Sequence, residues 1–123
     1  MDKKKTVIVG SSPNKGRYAW LAAQMLTEYG HPIVPLGIRE GEVVGEKILD
    51  IRTKPAIEGV DTITLYLSPA NQKEWYPYLA SLKPKRIIFN PGTENPEFAR
   101  FARENGIAPL EACTLVLLRS NQF

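Results

Sequence analysis

A chain of 123 residues can bury about two-thirds of its unfolded surface in one core, so a single domain that needs no disulfide or metal staple is expected. Its one cysteine, Cys113, excludes an internal disulfide, and its one histidine, His31, leaves no His/Cys cluster for a transition metal. Charge is mild, 16 basic against 13 acidic residues, and the net +3 equals the contribution of Lys3 to Lys5, which read as solvated, with residues 1–4 a flexible basic tail.

No basic stripe with interleaved aromatics occurs elsewhere, which argues against a nucleic-acid partner. No segment approaches the ~18 apolar residues of a membrane span, and the apolar run Thr6 to Val9 is too short for a secretory signal. A reducing cytoplasm is the expected compartment.

The elements alternate between strand and helix along the whole chain, the pattern of a mostly parallel, doubly wound sheet covered by helices, a three-layer Rossmann-like α/β domain. Thr6 to Gly10 is the first strand. A helix over roughly Arg17 to Tyr29 places Tyr18, Leu21, Ala22, Met25 and Tyr29 at helical spacing as its expected core stripe, with Gly30 as the stop.

Ile33 to Leu36 is a second strand. Residues 37–60, punctuated by Gly41, Gly45, Pro55 and Gly59, read as a loop with one short strand near Lys47 to Leu49 and a helical turn around Pro55. Thr62 to Leu67 is a strand, followed by Ser68 as N-cap and Pro69 at the first helical position. Trp75, Tyr78, Leu79 and Leu82 form the inner face of the next helix, which Pro77 should kink or split. Arg86 to Phe89 is a strand. Asn95 then caps a helix with Pro96 at its start, Phe98, Phe101 and Ala102 inward, and Gly106 past its end. Ile107 to Pro109 follows, and Thr114 to Leu118 fits a strand or a short helix equally well.

In such a sheet ligands bind beyond the carboxyl ends of the strands. Those ends are Gly10 to Gly16, Leu36 to Arg39, Leu67 to Pro69 and Asn90 to Thr93, four loops rich in small and polar residues that imply one shared groove. The first, VGSSPNKGR, joins a strand to a helix start, where backbone N–H groups and the helix dipole favour an anion. The backbone is expected to turn sharply at Gly10, beneath a diphosphate, and to leave no room for a side chain there. The loop is not a dinucleotide fingerprint, because Ser12 and Lys15 stand where the second and third glycines would be. The second strand ends in Leu36-Gly37-Ile38-Arg39 without the acidic residue that holds an NAD ribose. Lys15, Arg17 and Arg39 suit a ligand with an additional phosphate.

VGSSPNKGR at Val9 to Arg17, the GHPIVP run at Gly30 to Pro35, the VGEK turn at Val44 to Lys47, and Gly92 followed by a helix and then Glu111-Ala112-Cys113 together resemble the CoA-binding domain family. The match is to its small stand-alone bacterial members, related to the N-terminal domain of the succinyl-CoA synthetase α-subunit, and runs from about Lys5 to Leu118.

The resemblance implies CoA, or a short acyl-CoA, in the groove. Gly10, Ser11, Ser12, Lys15 and Arg17 would cradle phosphates, Pro35, Leu36 and Gly37 would lie along the adenosine, and Leu67, Ser68, Asn90 and Gly92 would line the remainder. This chain departs from the family where Asn-Pro commonly follows the second strand, and where Asp-Arg-Cys often stands near the end.

No Ser/His/Asp or Cys/His set can be assembled without His31, which falls in a turn at the amino edge and reads as a surface residue. Cys113 reads as a small buried residue. The expectation is therefore a non-catalytic CoA-binding module, a sensor or an accessory subunit that works as a homo-oligomer or with a partner. The alternatives are a small NADP-type oxidoreductase domain and the ligand domain of a redox-sensing repressor.

Overall fold

The computed structural model describes residues 2–123. Six strands, β1 (Thr6–Val9), β2 (Ile33–Gly37), β5 (Leu49–Asp50), β6 (Thr62–Leu65), β7 (Arg86–Phe89) and β8 (Ala108–Glu111), form one sheet in the order β5-β2-β1-β6-β7-β8. Every pairing in it is parallel. β1 lies in its interior, and all four of its residues are buried, as a central strand covered on both faces requires.

The alternation of side chains along β1 divides the core. Val7 and Val9 belong to the face covered by α2 (Tyr76–Ser81) and α3 (Pro96–Glu104), with Leu79 and Phe98 wholly buried there. Ile8 belongs to the face covered by α1 (Tyr18–Glu28) and α4 (Thr114–Arg119), with Leu26 and Leu118. Each such aliphatic side chain contributes about 1.5–3 kcal/mol by leaving water. The fold is the three-layer Rossmann-like arrangement that the β/α alternation implies.

α1 differs from its expected orientation. Its core face is Ala19, Ala22, Ala23 and Leu26, whereas Tyr18, Leu21 and Tyr29 are exposed. Both series have helical spacing, and the small alanines let the helix backbone approach the sheet more closely than tyrosines could.

The segment after β2 also holds more structure than its composition suggests. β3 (Glu42–Val43) and β4 (Glu46–Lys47) pair antiparallel around Val44 and Gly45, both at positive φ, as a two-residue hairpin turn demands. The helical turn expected near Pro55 is a 3₁₀ turn at Ile51–Thr53, capped by the Asp50 carboxylate. Before α2, Pro69–Asn71 and Lys73–Trp75 are 3₁₀ turns and Pro77 lies in the first turn of the helix, so Pro77 starts α2 instead of kinking it. Tyr76 and Tyr78 are buried, with the Tyr78 hydroxyl donating to Pro55 O at 2.6 Å. Thr114 to Leu118 is helical, as part of α4.

The amino edge is closed by residues that read as solvent-facing in sequence. His31 is 2% exposed; its Nδ1 accepts from Lys4 N at 2.9 Å, and its ring lies 4.8 Å from that of Phe123. Lys4 Nζ donates to Phe123 O and Lys5 Nζ to Glu58 O, so two of the three N-terminal lysines are tied to the body of the protein. Burial, then the positive charges of Lys4 and Arg86, lower the His31 pKa against the opposing pull of Asp61.

In the unfolded chain His31 takes up a proton near pH 6.5, while the folded chain resists it. The unfolded state therefore binds more protons below that pH, and stability is lost as pH falls from 6.5 through the folded pKa. Thermal melts should show this acid-side loss in wild type. In His31→Asn, whose side-chain oxygen can accept the Lys4 N–H at any pH, the slope should be shallower; equal slopes would assign it to carboxylates elsewhere.

Candidate ligand groove at the carboxyl edge

Because the strands are parallel, the loops after β1, β2, β6 and β7 leave from one edge. The chain runs from β1 to β2 and β5 on one side, then returns to lay β6, β7 and β8 on the other. The strand order therefore reverses at β1/β6, the position where open α/β sheets form their binding crevice.

The β1 loop is held from both sides. Gly10 N and Ser11 N both donate to Leu36 O, at 2.9 and 3.1 Å, and Tyr66 N donates to Val9 O at 2.8 Å. Ser11 and Ser12 are buried; Ser11 Oγ donates to Ile8 O at 2.7 Å, and Ser12 Oγ accepts from Asn14 N at 3.1 Å. Asn14 also accepts from Gly16 N through Oδ1 and from Arg17 N through its carbonyl.

The N–H groups of Gly10 and Ser11 are thus engaged by the protein and do not face a ligand. Those of Ser12, Lys15, Tyr18 and Ala19 donate to no acceptor among the described residues. α1 has Arg17 as its N-cap, without a side-chain cap bond and without an acidic residue in its first turn, which leaves its positive end open.

Gly10 has φ +93°, and a Cβ there would stand 3.1 Å from the carbonyl carbon and oxygen of Tyr66. The backbone turn alone, packed against Tyr66, requires the glycine. A Cβ on Gly37 would lie 2.9 Å from Ser11 O, so the exits of β1 and β2 touch main chain to main chain.

Lys15, Arg17 and Arg39 are exposed and have no ion-pair partner among the described residues; Lys15 Nζ lies 5.8 Å from the Trp20 ring centroid. Pro35, Leu36 and Gly37 are buried, and Leu36 is wholly inside the core. Only the backbone at Leu36 borders the loop, not its side chain.

Beside Gly37 in the register stands Asp50 of β5, an acid that sequence order hides. Arg52 binds it through Nε at 2.9 Å and Nη2 at 3.0 Å, and this pairing, with the Arg52 N–H, holds its pKa below the ordinary carboxylate value. Asp50 is therefore committed to Arg52.

The opposite wall is built by buried amides. Asn90, 2% exposed, donates through Nδ2 to Thr64 Oγ1 at 2.7 Å and Leu65 O at 2.8 Å, and accepts from Thr114 N at 2.9 Å. It joins β7, β6 and α4, so its side chain is structural and not turned to the groove.

Gln72 has no exposed surface; its Nε2 donates to Leu67 O at 2.8 Å and Thr93 O at 2.9 Å, while its Oε1 accepts from Asn95 Nδ2 at 3.0 Å. Leu67 is half-buried and Ser68 exposed, with Ser68 Oγ accepting from Asn71 Nδ2. Gly92 is exposed at φ +91°, and its N–H donates to Glu94 Oε1 at 2.8 Å. Tyr66 lies near Thr64, Thr114 and Cys113, and burial pushes its pKa up to about 12, so its hydroxyl stays protonated.

Gln72, Asn95, Thr64 and Thr114 are the buried residues behind this wall that sequence reasoning missed; a glutamine directly after a helical turn gives no signal until its carbonyl partners are known. A cleft of about 600 Å³, lined by Lys54 to Glu58 and by residues of α2, shares no residue with these loops. No helix is long and apolar enough to cross a membrane, and no group of three potential metal ligands occurs among the described residues.

An open parallel sheet with helices on both faces and a reversal of strand order at β1/β6 defines the Rossmann-like α/β class. Residues 4–119 match the CoA binding domain, and the chain belongs to that family. A crystal structure of an uncharacterized protein is 51% identical over all of both chains, with a TM-score of 0.97. A Thermus thermophilus protein is 22% identical, covering 98% of this chain and 91% of its own, with a TM-score of 0.85. RSP in complex with beta-NADH is 14% identical, covering 97% and 58%, with a TM-score of 0.58, a likeness of fold alone. No curated protein matches the chain.

Proposed function

We propose that the protein binds CoA or a short acyl-CoA in this groove and acts as a non-catalytic carrier or sensing module. The observation that carries the reading is the unused set of N–H groups at the start of α1, with Lys15 and Arg17 in the same loop and Arg39 past the end of β2, none of them in an ion pair among the described residues, in a chain of the CoA-binding family. A diphosphate accepts from such N–H groups without any catalytic side chain. Lys15, Arg17 and Arg39 are then the candidates for the 3′-phosphate. Support for a non-catalytic role comes from His31, which is buried at the far edge with Nδ1 held by Lys4.

CoA at a hundredfold excess over its Kd should raise stability by ~2.7 kcal/mol, a shift of about 10 °C in Tm for a domain of this size. A clear shift with NADP and none with CoA would sink the reading in favour of a dinucleotide. A hydrogen bond to a charged group contributes ~1.5–3 kcal/mol, so CoA should bind roughly ten- to a hundredfold more tightly than dephospho-CoA. Calorimetry with both ligands should show that preference shrinking in Arg17→Ala and in high salt. Equal affinities in wild type would reduce the three cations to a solvated rim.

A further inference from the structure

α1 carries an apolar stripe that the core does not use. Tyr18, Leu21 and Tyr29 are 70%, 36% and 43% exposed, and Met25 between them is half-buried. Spaced i, i+3, i+7 and i+11, the four share one side of the helix, beside the buried Ala19, Ala22, Ala23 and Leu26. Glu28 is the only charged residue within α1. Arg17 at the N-cap stands eleven residues before it, about three helical turns, so the two mark opposite ends of one flank of the stripe, about a quarter turn from its centre. Neither has an ion-pair partner among the described residues.

The order along this side is cation and tyrosine, then leucine, then methionine, then anion and tyrosine, so its apolar and aromatic positions repeat when it is read backwards while the charge changes sign. We propose that it is the self-association surface of a homodimer, with α1 crossing α1 of a second copy antiparallel about a two-fold axis near residue 23. Leu21 of one copy then faces Met25 of the other, and each Arg17-Tyr18 end faces a Glu28-Tyr29 end. The two helix dipoles run in opposite senses, as antiparallel packing favours.

A two-fold contact needs one self-complementary patch, and opposite charges at the two ends of one stripe supply it. That charge arrangement selects a second copy over a partner of unrelated sequence. Taking ~200 Å² for a tyrosine side chain, the stripe offers roughly 300–400 Å² of apolar surface per copy. Standard interfaces bury about 800 Å² per partner, so with its polar rim this contact belongs to the weak, concentration-dependent class.

The proposal shares only Arg17 with the CoA reading, and its test is made without ligand. Sedimentation equilibrium from about 5 to 500 μM should show a monomer–dimer equilibrium with a micromolar midpoint. Leu21→Arg and Tyr29→Lys, both at exposed positions, should keep the wild-type circular dichroism and weaken the dimer at least tenfold. Glu28→Arg should weaken it too, and the double charge swap Arg17→Glu with Glu28→Arg should restore it. A wild type that is monomeric throughout overturns the proposal. So does a dimer that both Leu21→Arg and Tyr29→Lys leave intact, or a double swap no tighter than Glu28→Arg alone.

Discussion

Gly10→Val is expected to destabilise the fold itself, with or without ligand, and not merely to prevent ligand binding. The residue sits at φ +93°, and the left-handed side of φ costs an L-residue roughly 1–2 kcal/mol, more when the side chain is β-branched. The new Cβ would press on the Tyr66 carbonyl at 3.1 Å and on Leu67 Cδ2 at 3.2 Å. Overpacking of this kind costs a further 1–3 kcal/mol or so. The sum, roughly 2–5 kcal/mol, compares with the ~5–15 kcal/mol that holds most domains folded. A thermal melt should show Tm lowered by roughly 10–20 °C, with Gly10→Ala less affected. A Gly10→Val protein with wild-type Tm would mean that the β1 exit yields without cost.

Asn90→Leu should be comparably severe although it conserves size. It removes the donor to Leu65 O and the acceptor for Thr114 N, leaving a buried carbonyl and a buried N–H unpaired at about 1–3 kcal/mol each. Thr64 Oγ1 retains its 2.8 Å contact with Thr114 Oγ1. Urea unfolding should give a midpoint lowered by an amount equivalent to roughly 2–6 kcal/mol with an unchanged slope. Asn90→Asp keeps the acceptor for Thr114 N but loses both donors and buries a charge, so it should not rescue. If Asn90→Leu melts like wild type, the network joining β6, β7 and α4 is not what holds that wall.

Much of the frame was legible in the chain, and the reasons are local. Strands such as Thr6–Val9 and Arg86–Phe89 are short apolar runs bounded by turn residues, and α3 carries its own cap in Asn95, whose side chain accepts from Phe98 N. The four carboxyl-end loops follow directly from where those strands stop.

What sequence patterns did not reveal depends on partners distant in the chain. On α1 two apolar series competed, and a tyrosine series looks more core-like than an alanine series until the closeness of the sheet is known. His31 was misjudged because its neighbours, Lys4 and Phe123, come from opposite ends of the sequence. The site was legible as a set of loops but not as a set of donors. Only the fold shows that Leu36 O occupies the N–H groups of Gly10 and Ser11 and leaves those of Ser12, Lys15 and the first turn of α1.

The Gln72 carboxamide bears on how this groove can change over evolutionary time. One side chain holds the carbonyls of Leu67 and Thr93, and Asn95 holds it in turn, so the loops after β6 and β7 form one inherited unit. A substitution that reshapes either loop removes a partner from the other, and residues sharing such a network have effects that do not add. Descendants that alter this wall should therefore carry paired changes across 67–72 and 93–95. The exposed cations at 15, 17 and 39 make no ion pair among the described residues, so a change at one of them leaves the packing of this wall untouched.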